Sequence, residues 1–131
     1  MSLYSIFTDG SCLQNPDGPG GWAFCCIIDD LLFCDAGSHP KTTNNRMELR
    51  AVLEAINFMS KEKKYRIYTD SQLTINCATG KWSRKANLDL WTIFDKVSVH
   101  KQFEFQYVKA HNGNTYNELV DKLAKEQAYK A

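Results

Sequence analysis

The hydrophobic rhythm of this chain changes partway along, and that change admits few folds. Residues 3–9, 22–28 and 31–36 are short and rich in β-branched and aromatic side chains, and the last two flank Asp29-Asp30 like the arms of a hairpin. From Asn44 the period becomes helical, with Leu49, Val52, Leu53, Ile56 and Met59 on one face of a helix over 44–59. Residues 65–70 read as a strand, 71–79 as a short helix stopped by Gly80, 88–97 as a helix around Leu90, Trp91 and Phe94, and 103–108 as a strand. A last helix over 116–129 carries the stripe Leu119, Val120, Leu123, Ala124. Residues 10–21, GSCLQNPDGPGG, are dense in turn formers and read as one loop. The order β-β-β-α-β-α-α-β-α predicts an α/β mixed sheet with helices packed on it. Strands 3–9 and 65–70 would be natural parallel neighbours.

At 131 residues the chain is read as one domain, 1–131, with room for a single sizeable core. No apolar run approaches the ~20 residues of a membrane span. The N-terminus lacks the basic-then-apolar pattern of a signal peptide. Five cysteines, Cys12, Cys25, Cys26, Cys34 and Cys77, form no CxxC pair, so reduced thiols in a cytoplasmic compartment are expected, without a disulfide framework or zinc site. The formal net charge of +1 does not announce a polyanion binder; such a partner would be held through local patches.

Two strands end alike. Phe7-Thr8-Asp9-Gly10-Ser11 closes the first and Tyr68-Thr69-Asp70-Ser71 the fourth. Either Asp alone reads as a cap or turn residue. On adjacent parallel strands, whose axes lie ~4.8 Å apart, the two would face each other beyond the carboxyl ends where α/β sheets bind ligands. Like charges that close need a proton or a cation. A third acid, Glu48, follows Asn45 by three residues, which also fits a capping box. A fourth, Asp121, shares a helix face with Asn117, while Thr115 and Glu118 fit a second capping box. His111, beside Asn112-Gly113, is either a solvated loop histidine or a proton shuttle. Several carboxylates with water are hard oxygen donors suited to Mg²⁺ or Mn²⁺, and a pair of such ions can clamp an in-line phosphoryl displacement.

The blocks Ile6–Cys12, Thr42-Thr43-Asn44-Asn45-Arg46-Met47-Glu48-Leu49, Tyr68–Gln72 and Val108–His111 with Asn117 and Asp121 resemble the signature blocks of bacterial type 1 ribonucleases H, in order and spacing, over nearly the whole chain. The resemblance implies the ribonuclease H-like fold, a five-stranded mixed sheet (an antiparallel meander of three plus parallel strands) flanked by helices. It implies hydrolysis of the RNA strand of RNA–DNA hybrids by two Mg²⁺ ions, with Mn²⁺ as a substitute, leaving 5′-phosphate and 3′-hydroxyl ends. Asp9, Glu48, Asp70 and Asp121 are implied as metal ligands, and His111 as an assisting residue.

The same resemblance assigns substrate contacts. Cys12, Asn15, Asn44, Asn45, Gln72 and Asn117 match positions at the hybrid, most of them at the minor groove where 2′-hydroxyls mark the RNA strand. Lys41 and Thr43 match a pocket for a DNA-strand phosphate, with Lys41 in place of the usual Arg and Lys85 as the nearest equivalent of its third member. Many relatives carry a basic protrusion where this chain has only residues 80–87, so Lys81, Arg84 and Lys85 around Trp82 are either a reduced basic and aromatic contact or an ordinary charged loop over a packed Trp. The Lys61–Lys64 run reads as solvation and dipole complement at a helix end. A monomer is expected. Competing readings are a non-catalytic hybrid-binding module and a superfamily nuclease acting on DNA. Four acids facing a polyanion argue against the first, and Asn44, Asn45 and Gln72 against the second.

Overall fold

A computed structural model describes residues 3–109 and 114–131. The elements run β1 (Tyr4–Cys12), β2 (Gly20–Ile28), β3 (Leu31–His39), α1 (Asn44–Phe58), β4 (Lys64–Thr69), α2 (Gln72–Ala78), α3 (Leu88–Val97), β5 (Gln102–Tyr107) and α4 (Thr115–Lys130). The nine-element order matches that read from the sequence. The strands form one five-stranded sheet ordered β3-β2-β1-β4-β5. β1, β2 and β3 pair antiparallel, whereas β4 pairs parallel with β1 and β5. The turn-rich stretch 10–21 is shorter as a loop than its composition indicates, because the β1–β2 ladder runs on to Cys12↔Gly20.

The sheet has a core on each face. One gathers Ile6, Phe24, Cys26 and Ile67 against α1 and α3, including Val52, Ile56, Trp91 and Phe94. The other sets Phe7, Ala23 and Cys25 against Val120 and Ala124 of α4. Strands buried on both faces lose the strict polar alternation, which explains the near-continuous apolar run of β2. Two glycines bring the helices close. A Cβ on Gly10 would collide with the backbone of Met47 and Glu48, and one on Gly21 with the backbone of Ala124 and Ala128. These contacts seat α1 and α4 directly on the strands.

Helix ends correct two expectations. Thr43 caps α1 by accepting from the Arg46 N–H at 3.2 Å, so Asn45 with Glu48 is not the capping pair. Asn114, not Thr115, caps α4 by accepting from the Asn117 N–H at 2.9 Å. At the carbonyl end of α1 the Lys101 ammonium donates to the Ile56 carbonyl at 3.1 Å and to that of Met59, and residues 61–64 beyond it are exposed.

The expectation of five free thiols is also corrected. Cys25 and Cys34 face each other across the β2–β3 ladder and form a disulfide, while Cys12, Cys26 and Cys77 are free. Strand register, invisible to a search for CxxC spacing, brings the pair together. No helix among the described residues is long and apolar enough to cross a membrane.

Candidate active site

The matching strand endings meet as the sequence predicts. Phe7 is the parallel partner of Tyr68, and their rings stack at 4.4 Å. The Thr8 hydroxyl donates to the Tyr68 carbonyl at 3.2 Å, and the buried Thr69 hydroxyl accepts from the Ser71 N–H at 3.1 Å. With the aromatic and Thr positions fixed, the next residue of each strand, Asp9 and Asp70, emerges at the same edge. Glu48 joins them because α1 rests on Gly10. Ligand oxygens of Asp9, Glu48 and Asp70 lie within 4.8 Å of one another.

These three acids come from three elements and line a pocket of about 360 Å³ with Gly10, Ser11, Asn44, Asn45, Ser71, Asp121 and Lys125. Asp121 reaches it from α4, where its carboxylate pairs with Lys125 at 3.1 Å. Lys125 was missed in the sequence, although its place four residues after Asp121 on one helix face is a readable signal. His111 lies outside the described residues.

The electrostatics mark a site short of positive charge. Burial, the dominant influence, pushes Asp9 from an ordinary 3.8 to about 7; Asp70 and Asp121 push the same way, against hydrogen bonds from Glu48 and the Gly10 N–H. The Gly10 N–H donates to Asp9 Oδ1 at 2.9 Å. Glu48 is raised well above the usual carboxylate range, first by burial and then by Asp9 and Asp70. Its Oε2 is buried with no hydrogen-bond partner among the described residues. An orphaned buried carboxylate oxygen is costly unless a cation or proton meets it. The donors gathered in the cluster are all carboxylate oxygens, so the arrangement fits a hard divalent cation.

The other predicted residues separate into groups. Asn44 and Asn45 occupy the first turn of α1 at the acid pocket, and the Asn44 N–H donates to Asn15 Oδ1 at 3.0 Å, tying the 13–18 loop to the helix start. The Cys12 thiol lies 3.4–3.6 Å from the carbonyls of Leu13, Gly18 and Thr42 and fastens the same loop. Gln72 is exposed at the start of α2. Asn117 is buried beneath the first turn of α4. Trp82, 46 % exposed, lines a second groove of about 530 Å³ with Lys81, Lys85 and Asn45. Lys41 is exposed, the Thr43 hydroxyl caps α1, and Lys85 lines the groove beside Trp82.

Two arginines are fasteners. Arg84 makes a two-pronged contact with Asp95 at 2.9 Å, donates to the Cys77 carbonyl at 3.1 Å, and lies 4.4 Å over the Trp91 ring, which removes it from the candidate basic contact. Arg46, inside the TTNNRMEL run, clamps Asp89 at 2.7 and 3.0 Å and ties α1 to α3. That hydrogen bond is the main reason Asp89 is drawn down to about 2.

Comparison with known proteins bears on the family and the fold. The RNase H family model matches residues 2–129. A ribonuclease H of Ehrlichia ruminantium is 38% identical over 139 residues, covering 95% of this chain and 94% of that protein. A ribonuclease HI of Campylobacter jejuni is 39% identical over 138 residues, covering 99% and 94%. Among solved structures, the N-terminal RNase H domain of a Mycobacterium tuberculosis protein, fused to maltose binding protein, superposes with a TM-score of 0.84 at 20% identity over 98% of this chain and 94% of that one.

Proposed function

The chain belongs to the RNase H family, and from that premise we propose that Asp9, Glu48, Asp70 and Asp121 hold two divalent cations, Mg²⁺ or Mn²⁺, for cutting the RNA strand of an RNA–DNA hybrid. The observation that carries the reading is the meeting of three carboxylates from β1, α1 and the β4 end within 4.8 Å, with one Glu48 oxygen buried and without a hydrogen-bond partner among the described residues.

Bound there, two such ions supply the Lewis-acid charge that lowers the cost of an attacking water and a leaving 3′-oxygen in line at phosphorus. The protein's part is to hold the acids rigidly. The Gly10 N–H orients Asp9, the Thr8 and Thr69 hydroxyls pin the strand ends, and the α1 contact at Gly10 fixes Glu48. Asp121, which pairs with Lys125 on α4, would join these acids as a ligand when a cation is bound. Asn15 and Asn44, linked through the Asn44 N–H, together with Asn45 and Gln72 read 2′-hydroxyls in the minor groove. Cys12 holds that platform in place. Lys81, Trp82 and Lys85 take the DNA strand along the second groove, and Lys41 contributes charge to a phosphate. His111 accepts or returns a proton near the leaving group. Cleavage leaves a 5′-phosphate and a 3′-hydroxyl.

The test offers purified protein a labelled hybrid, duplex RNA, duplex DNA and single-stranded RNA with Mg²⁺, Mn²⁺ or EDTA. Cutting confined to RNA in the hybrid and abolished by EDTA is expected. Equal cutting of duplex DNA, or undiminished cutting in EDTA, would sink the reading. Asp70→Asn should lose cleavage while keeping hybrid affinity; full activity in that variant removes Asp70 from the set.

A further inference from the structure

Strand β3 forms one margin of the sheet and pairs only with β2 among the described residues. Two observations show which of its backbone groups face outward. Cys25 and Cys34 are opposed with Cα atoms 4.1 Å apart, the close spacing of a pair that exchanges no ladder hydrogen bonds. The N–H and C=O of Cys34 therefore point away from β2, as do those of Leu32, Ala36 and Ser38 at two-residue intervals. The Ala36 N–H agrees, since it donates to the neighbouring Asp35 carboxylate at 2.9 Å instead of to β2.

This margin is unusually apolar. Leu31, Leu32 and Phe33 are 61%, 46% and 42% exposed, and Phe58, in ring contact with Phe33, is 41% exposed. They adjoin a groove of about 540 Å³ walled by Phe24, Glu54 and Asn57. Open edges are ordinarily blunted by Lys or Pro, and residues 29–39 contain neither.

We propose that β3 pairs antiparallel with β3 of a second copy of this chain, about a twofold axis at Cys34, joining the two sheets edge to edge. The register follows from the outward groups, which require even-numbered residues to oppose even-numbered ones. Centring on Asp35 would set that carboxylate against its own copy. Centring on Phe33 shortens the overlap to residues 31–35, and centring on Ala36 leaves Leu31 and Leu32 beyond the pairing. Centring on Cys34 overlaps residues 31–37, opposing Leu32 to Ala36, Leu31 to Gly37 and Phe33 to Asp35. It also brings the acidic Asp29–Asp30 turn alongside His39 and Lys41 of the second copy, twice over by symmetry. The Ala36 N–H exchanges its Asp35 partner for a ladder carbonyl. A short strand pair with few large contacts makes a weak, salt-sensitive dimer. The sequence reading expects a monomer; the edge geometry is what argues for association. This inference is independent of the catalytic reading, and its failure leaves that reading intact.

The experiment is sedimentation velocity of the whole chain from about 1 μM to about 1 mM, with amide hydrogen exchange at both ends of that range. The weight-average mass should climb from 15.0 kDa towards twice that value. Amides of Leu32, Cys34, Ala36 and Ser38 should slow with concentration, while those of β5, the opposite margin, should not. Ala36→Pro removes an outward donor without touching the ladder to β2 and should keep the chain monomeric. Asp29→Asn with Asp30→Asn, where Asn suits the left-handed backbone at φ 49° and 67°, should weaken association about threefold to tenfold at low salt. A single mass at every concentration overturns the proposal and leaves the edge to a strand of another protein. A dimer without added protection at the four β3 amides, or one in which folded Ala36→Pro and the double Asn variant associate like the parent chain, overturns it as well.

Discussion

Replacing Asp9 by Asn should stabilise the metal-free protein at alkaline pH, although it removes a proposed ligand. Asp9 is 5% exposed, and its carboxyl rises from 3.8 to about 7 in the folded state. In the unfolded chain the same group releases its proton near pH 4. Between those values the folded state binds more protons than the unfolded state, so stability falls as pH rises through the window. Above about pH 7 the whole penalty applies. A displacement of roughly three pH units at about 1.4 kcal/mol each gives about 4 kcal/mol as an upper bound. Glu48 is displaced in the same direction and adds to the slope. Asn keeps an acceptor for the Gly10 N–H and carries no charge. Urea unfolding in EDTA at pH 5 and pH 8.5 measures the effect. The parent chain should lose about 2–4 kcal/mol between the two, and Asp9→Asn should lose less and be the more stable at pH 8.5. In Mg²⁺ the order should reverse, because a cation recovers the cost of the buried charge only where the carboxylate exists. If the parent gains stability from pH 5 to 8.5 in EDTA, or if the variant is the weaker at pH 8.5, the reasoning that this cluster is a strained cation cage is refuted.

Gly10→Ala should destabilise by about 3 kcal/mol or more, since its Cβ meets helix backbone that cannot yield, and should displace Glu48; thermal unfolding and cation affinity report the two effects separately. A variant that keeps both would show that α1 is not seated by that contact. Arg84→Ala should cost about 1–3 kcal/mol in urea unfolding through the loss of Asp95, the Cys77 carbonyl and the Trp91 ring, while the salt dependence of hybrid binding stays unchanged. Lys85→Ala should do the opposite, leaving stability alone and lowering the slope of log affinity against log salt by about one. Exchanged phenotypes for these two variants would reverse their assignments.

Element order was legible because the strands are short segments rich in β-branched and aromatic residues, whereas the helices carry apolar stripes like that of α1. The Asp9–Asp70 pair was legible for the same reason, since two like strand endings need only one parallel pairing to bring their acids together. Local chemistry was less decisive at helix starts. Asn45 with Glu48 suited a capping box, but the path of the chain into α1 made Thr43 the acceptor and left Glu48 for the acid pocket. Arg84 and Lys85 were equivalent as letters in a basic loop; packing against Trp91 and Asp95 took one out of the groove and left the other in it. The Cys25–Cys34 bond had no sequence signal, because strand register alone opposes the two thiols. By itself, then, the sequence determined which segments become strands and helices and which acids could act together, since those follow from local periodicity and repeated endings. Only the tertiary structure decided which polar groups are already engaged, which are left open, and which strand edge stays bare, because each depends on neighbours distant in the chain.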